Sequence, residues 1–311
     1  MTTATEAAAL IPAGWRDQVS RLPADGGPTG GDWVAGLPRL LAQMIDEWSL
    51  RPSGATLTGC TAVVVPVDRD GEDLALKLVW PHVDAAGEPL ALRLWDGDGA
   101  VRLVAASPTR SALLLERLDH TRDLEDPSMD TDTACEIIGG LLARLHVPAP
   151  PNIRSLAAFT EAHLHGPLGV AGGRDHLPRR AVDRALGLAV DLLSRSDATA
   201  TLVHGDLHFR NVLAGARAPW LVIDPKPMAG HPGVELQPLL RNRVDELGTG
   251  SAFRWSVRHR LEIVCDAAGI DEDVARYWTI VMSTIEAHWA ALGDVAEHVS
   301  LHLALAKALD D

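Results

Sequence analysis

His204-Gly-Asp-Leu-His-Phe-Arg-Asn211, followed by Leu221-Val-Ile-Asp-Pro225, is the stretch whose reading decides how this chain folds. Two short apolar runs, Thr201 to Val203 and Leu221 to Ile223, have the length and composition of buried strands. Each run gives way to a polar residue able to handle a proton or a metal. Asp206 and Asn211 share one tight loop, and Asp224 follows a strand that can fold back beside it, so three oxygen-bearing side chains can converge. Oxygens from Asn211 and Asp224 suit a hard cation such as Mg²⁺, whose other positions go to water and phosphate. Asp206 is left to act as a base toward a hydroxyl.

A catalytic-loop Asp, an Asn five residues on and a metal-binding Asp after the next strand form the arrangement that kinases use for phosphoryl transfer. The bulk properties are compatible with such an enzyme. At 311 residues, 47% hydrophobic and 23% charged, the chain is globular and long enough for two lobes. A formal net charge of -14 argues against a nucleic-acid partner and is compatible with a cationic small-molecule substrate. The first residues lack a basic and apolar leader, and no run of about 18 apolar residues follows, so a cytoplasmic protein without a membrane partner is expected. Cys60, Cys135 and Cys265 are far apart and odd in number, which signals neither a disulfide framework nor a zinc site. They read as small packing residues. Basic residues are almost all Arg, with Lys only at positions 77, 226 and 307, so a lysine inside an apolar strand is a meaningful choice. Lys77 is such a residue.

Along the chain, the Gly-, Pro- and Ala-rich opening to Gly31 reads as loosely ordered. Trp33, Leu37, Leu40, Leu41, Met44, Ile45 and Trp48 then fall at helical spacing. Strands follow over Ala62 to Val67 and Leu74 to Trp80, around a Gly-containing hairpin turn. Alternation sets Lys77 on the face opposite Leu74, Leu76 and Leu78. In a kinase-like lobe the turn Thr58-Gly59-Cys60-Thr61 would cover nucleotide phosphates while the Lys77 ammonium contacts them. Glu88, at the start of a helical run, is placed to pair with Lys77 or simply to favour the helix N-terminus. Val101 to Ala105 and Ala112 to Leu115 read as strands, and the backbone of Glu116-Arg-Leu118 as a connector that could bond an adenine ring. A boundary at Asp119 separates lobes 1-118 and 119-311. Helices are expected over Asp130 to Leu145, ending at a dipole-favoured His146, then Ile153 to His165 and Pro178 to Arg195, the last two joined by a glycine-rich loop from Gly166 to Gly173. Pro232 to Leu247, Ala252 to Ala268, Asp271 to Leu292 and Val295 to Leu309 read as largely helical.

The loop, Ile223-Asp-Pro225 and Lys77 resemble the aminoglycoside phosphotransferase family, a branch of the kinase-like superfamily. Asp224-Pro-Lys-Pro227, Leu92-Arg-Leu-Trp95-Asp-Gly-Asp-Gly99-Ala-Val-Arg-Leu103 and Glu116-Arg-Leu118 are similar to its streptomycin 6-kinase and hydroxyurea phosphotransferase branch. The resemblance implies an α+β, bilobal protein-kinase-like fold, with a small N-terminal lobe built on an antiparallel sheet and a larger, mainly helical C-terminal lobe. It implies ATP, with GTP left open as the alternative nucleotide, together with Mg²⁺ as cofactors and a hydroxyl acceptor. Asp206 becomes the catalytic base, Asn211 and Asp224 the Mg²⁺ ligands, Lys77 with Glu88 the phosphate anchor, and Thr58, Gly59, Thr61, Glu116 and Leu118 nucleotide contacts. His204 would hold the loop and Glu235 would bond its backbone. His231 stands where an acid is expected in the branch. Gly205 replaces the Arg that in many protein kinases receives an activation-loop phosphate, which implies activity without phosphorylation. For a cationic, ring-bearing acceptor the candidates are Asp245, Glu246, Glu286 and Trp289. The competing reading packs Trp278 and Trp289 into the core and leaves the acids in solvent. A metabolic kinase of choline or sugar type shares the same loop. A nucleotide-binding regulator without turnover fits less well, because every catalytic position is filled.

Overall fold

The computed structural model describes residues 1–166, 168, 176–293 and 295–310. The chain divides into two compact units, Met1–Asp119 and His120–Asp311.

The first unit is built on an antiparallel sheet. Arg51–Pro52, Ala62–Arg69, Glu72–Val79, Ala112–Glu116 and Leu103–Ser107 lie side by side in that order, and Leu57–Thr58 also pairs with Ala62–Arg69. The central hairpin turns at Asp70 and Gly71, both at positive φ, the conformation that matches a two-residue turn to the twist of its strands. Val63, Val65, Val67, Leu74, Leu76 and Leu78 form the sealed face, packed with Leu37, Leu41, Met44 and Ile45 of the helix Gly30–Glu47. Strand alternation therefore sends Lys77 to the opposite face, as its pattern requires. The strand expected from Val101 starts at Leu103, because the left-handed backbone at Asp96, Gly97 and Gly99 carries the chain out of the preceding helix and delays its pairing.

The opening segment is not loose. Ala4–Ala9 and Ala13–Val19 are helices, and Ala7, Ile11, Trp15 and Val19, four residues apart, all enter the core of this unit. The glycines that suggested disorder answer a packing demand. A Cβ on Gly30 would lie 1.9 Å from the Val19 carbonyl oxygen, so only glycine lets the long helix start there.

The second unit is mainly helical, with Thr131–Leu145, Leu156–His165, Arg179–Leu193, Ser251–Ala268, Glu272–Leu292 and Ala296–Leu309 as its main helices. Leu156–His165 begins three residues later than the spacing suggests, where the Ser155 hydroxyl caps it. The stretch 232–247 is broken: a short turn of helix at Pro232–Glu235, then Leu236–Leu240, then Val244–Leu247 after a left-handed Arg243. The expected glycine-rich loop of 166–173 falls mostly outside the described residues. Among the described residues no helix is long and apolar enough to cross a membrane.

Two small antiparallel sheets complete this unit, and they carry the loop. Thr201–Val203 pairs with Val147–Pro148 and with Met228–Gly230, a strand the sequence did not announce. Trp220–Val222 pairs with Val212–Ala214, which also meets Asp119–Asp123. The loop of 204–211 thus leaves one sheet and enters the other, while the chain at 223–227 makes the return crossing.

Candidate active site

His204 and Gly205 are anchored from below. Glu235 accepts both of their backbone N–H groups, His204 on Oε1 and Gly205 on Oε2 at 3.0 Å. Burial pushes the Glu235 carboxyl up to about 7, against the pull of those two donors. The His204 ring ties the loop to the return crossing: Nε2–H donates to the Ile223 carbonyl at 3.0 Å, and Nδ1 accepts from the Asp206 N–H at 3.3 Å. Burial holds its imidazole neutral, with its pKa pushed down to about 4. Gly205 has φ of 80°, and a Cβ there would meet the Lys226 carbonyl at 2.3 Å. No other residue fits both constraints.

Asn211 closes the loop by donating Nδ2 to the Asp206 carbonyl at 2.9 Å, so its side-chain oxygen is the atom that could hold a cation. Its own carbonyl accepts from Ile223 N at 2.9 Å, and this bond brings the chain at Asp224 alongside. Asp224 stands in a left-handed conformation, φ 56°, at the end of that strand. One amide oxygen and one carboxylate, with water and phosphate for the remaining positions, is a donor set that fits Mg²⁺. Asp206 itself is 6% exposed, and each of its carboxylate oxygens meets a cation, Oδ1 with Arg241 Nη2 at 2.6 Å and Oδ2 with Lys226 Nζ.

In the first unit Lys77 Nζ donates to Glu88 Oε1 at 2.6 Å, with the two residues only 5% and 2% exposed. The turn of Thr58 to Thr61 is closed by Gly59 N–H to the Ala62 carbonyl at 2.9 Å, and Trp15 Nε1 donates to the Gly59 carbonyl at 2.8 Å. The Glu116 side chain accepts from Arg102 N at 2.7 Å, and Leu118 is half-buried just beyond that strand.

The four acids and aromatics suggested for the acceptor do not form one group. Glu286 lies 3.9 Å from Arg241 Nη1 and so joins the Asp206 neighbourhood. Glu246 is bound by Arg243 at 2.6 Å and Arg260 at 3.0 Å, while Asp245 is exposed. Trp289 is 40% exposed and meets Phe159 and His163 edge-on at 5.7 Å and 5.0 Å, whereas Trp278 is buried.

Three further residues correct the sequence reading. His231 caps the helical turn of 232–235 by accepting from Gly233 N at 2.9 Å, work that an Asp does equally well, so its departure from the branch is a local turn matter. His146 is half-buried with its pKa pushed down to about 4 by burial, so it brings no charge to the helix end. Cys135 and Cys265 are buried, but Cys60 is exposed, so it is not an interior packing residue. No role beside Asp206 was anticipated for Lys226 or Arg241. Lys226 carried the signal that marked Lys77, rarity in an arginine-rich chain, and Arg241 carried none.

This loop on a bilobal kinase-like fold defines a phosphotransferase. A profile of the aminoglycoside/hydroxyurea antibiotic resistance kinases matches residues 47–293. The chain belongs to that family. It is 44% identical over 263 residues to the hydroxyurea phosphotransferase of Kitasatospora aureofaciens, covering 82% of this chain and 73% of that one. It is 35% identical over 302 residues to the streptomycin 6-kinase of Streptomyces griseus, covering 96% of each. Among solved structures, a choline/ethanolamine kinase family protein from Mesorhizobium loti shares the fold, with a TM-score of 0.60 over 99% of this chain and 95% of that one at 15% identity.

Proposed function

We propose that this protein moves the γ-phosphoryl group of ATP to a hydroxyl of a small cationic aminoglycoside of streptomycin type. The observation that carries the reading is the loop of 204–211, in which Glu235, His204 and Asn211 fix Asp206 beside Asn211 and Asp224. Asp206 orients the acceptor hydroxyl and takes its proton. Asn211 and Asp224 would hold Mg²⁺, which when bound would supply charge neutralisation on the phosphates. Lys77, kept in place by Glu88, contacts the nucleotide phosphates as a point charge, and the turn of 58–61 covers them with backbone N–H groups. Because the transition state is loose, positioning and electrostatics provide most of the acceleration. Glu286 offers a carboxylate for a cationic group of the acceptor, at the edge of the Asp206 cluster.

A second acceptor is favoured by the 44% identity with a hydroxyurea phosphotransferase, a protein named for a small neutral hydroxyl compound. The two readings share every step and differ in the acceptor. A panel of streptomycin, hydroxyurea and choline with γ-labelled ATP separates them, since label should pass to one of the first two; passage to choline alone would turn the assignment to metabolism. Asp206→Ala should lower turnover by about 10²- to 10⁴-fold with nucleotide binding retained. Near-normal turnover in that variant would remove Asp206 from the chemistry.

A further inference from the structure

The loop backbone is already fixed by Glu235, His204 and Asn211, so Asp206 does not need two cations to hold it in place. Yet Lys226 occupies Oδ2 and Arg241 occupies Oδ1, both half-buried, and the carboxylate between them is nearly closed to solvent. Their use becomes clear from where charge goes in the reaction. The acceptor O–H bond breaks and its proton passes to an Asp206 oxygen. The acceptor oxygen forms a bond to the γ-phosphorus, and the bond from that phosphorus to the bridging oxygen breaks with its electron pair leaving on the nucleoside diphosphate. Asp206 is then neutral, and both cations lose their anion in the same event that delivers a new phosphate ester to the oxygen Asp206 had been bonding.

We propose that Lys226 and Arg241 are further catalytic residues, which pass from the Asp206 carboxylate to the transferred phosphoryl group as the base becomes protonated. This rests on the phosphotransfer reading above. The two cations suit the task differently. The lysine ammonium is a compact charge on a flexible stem that can follow a moving anion, and the arginine fork can bond two phosphate oxygens at once. Arg241 is steadied from its far side, where Nη1 faces Glu286 Oε2 at 3.9 Å.

Asp206→Asn imitates the protonated base, so the test needs no turnover. By titration calorimetry, inorganic phosphate should bind Asp206→Asn at least about tenfold more tightly than the wild-type chain, the scale expected for a charge-assisted contact. Adding Lys226→Met should abolish the gain, and adding Arg241→Met should reduce it. In turnover, Lys226→Met should lower kcat by about 100-fold with the ATP KM within about threefold, and Lys226→Arg should restore part of it. Melting curves establish that each variant is folded. Phosphate binding no tighter in Asp206→Asn than in the wild type, or Lys226→Met with kcat within about threefold of normal, would overturn the proposal. If the wild-type chain transfers label while either of those results is found, this inference alone fails. A wild-type chain that phosphorylates none of the panel would sink both.

Discussion

Lys77 and Glu88 show what a buried ion pair commits a protein to. At 2.6 Å and almost without solvent, the pair sets two opposite charges against each other in the interior, and removing one partner from such a site costs about 3–5 kcal/mol. Lys77→Met should therefore destabilise the chain by about that much, as well as weaken nucleotide binding, and Lys77→Met with Glu88→Leu should recover most of the stability. Urea unfolding of the three proteins decides it; a single variant as stable as the wild type would mean that the pair is not a structural commitment. Residues of this kind were legible from sequence because their chemistry is written in type and position: a rare lysine on an apolar strand, an Asp and an Asn five apart. Lys226 was equally rare and sat inside a quoted motif, but nothing along the chain says that the crossing at 224–227 brings it to Asp206. Arg241 is further out of reach, since it follows a short helix in a stretch broken by Pro238 and a left-handed Arg243.

At the scale of elements, the first two helices do more than extend the core. Trp15 packs edge-on against Trp33 at 6.0 Å while its indole N–H holds the Gly59 carbonyl, so the helix Ala13–Val19 fixes the turn that the proposed function sets over the phosphates. Trp15→Phe keeps an aromatic ring in the packing and deletes the hydrogen bond. A neutral bond of this sort is worth about 0.5–1.5 kcal/mol, so the ATP KM should rise about two- to tenfold with kcat unchanged. Steady-state kinetics at saturating acceptor measures this, and a fall in kcat with constant KM would show that the helix does not act through the turn. The segment was misread because Gly and Pro were weighed as composition, whereas the spacing of Ala7, Ile11, Trp15 and Val19 was the stronger signal. The sheet, the long helices and the loop strands were readable because their apolar periods are regular. The stretch 232–247 was not, because its apolar residues continue at helical spacing through backbone breaks that only tertiary packing imposes.

Across the whole molecule, histidines set the acid limit of stability. Burial pushes His146, His204 and His302 down to about 4, and also lowers His208, His231 and His288. In the unfolded chain these groups return to an ordinary value near 6.5. Between about 6.5 and 4 the unfolded state therefore binds protons that the folded state refuses, and stability must fall as pH falls. Glu235 acts with the opposite sign. Its folded value of about 7 lies above its ordinary 4.5, so over that range the folded chain holds a proton that the unfolded one lacks, and falling pH favours the fold. Three histidines at about 4 outweigh one glutamate by about two protons, so the net slope near pH 5 is a loss of stability on the order of a few kcal/mol per pH unit as pH falls. Melting temperatures should accordingly drop steeply from pH 6.5 to pH 4. His302→Leu should flatten that drop by up to about one proton, because it deletes one refused site. His302 lies on the helix Ala296–Leu309, with Nδ1 facing Gln237 Nε2 at 3.3 Å, so the change leaves the loop of 204–211 intact. A melting temperature that holds steady or rises toward pH 4 would mean that these histidines are charged in the folded protein.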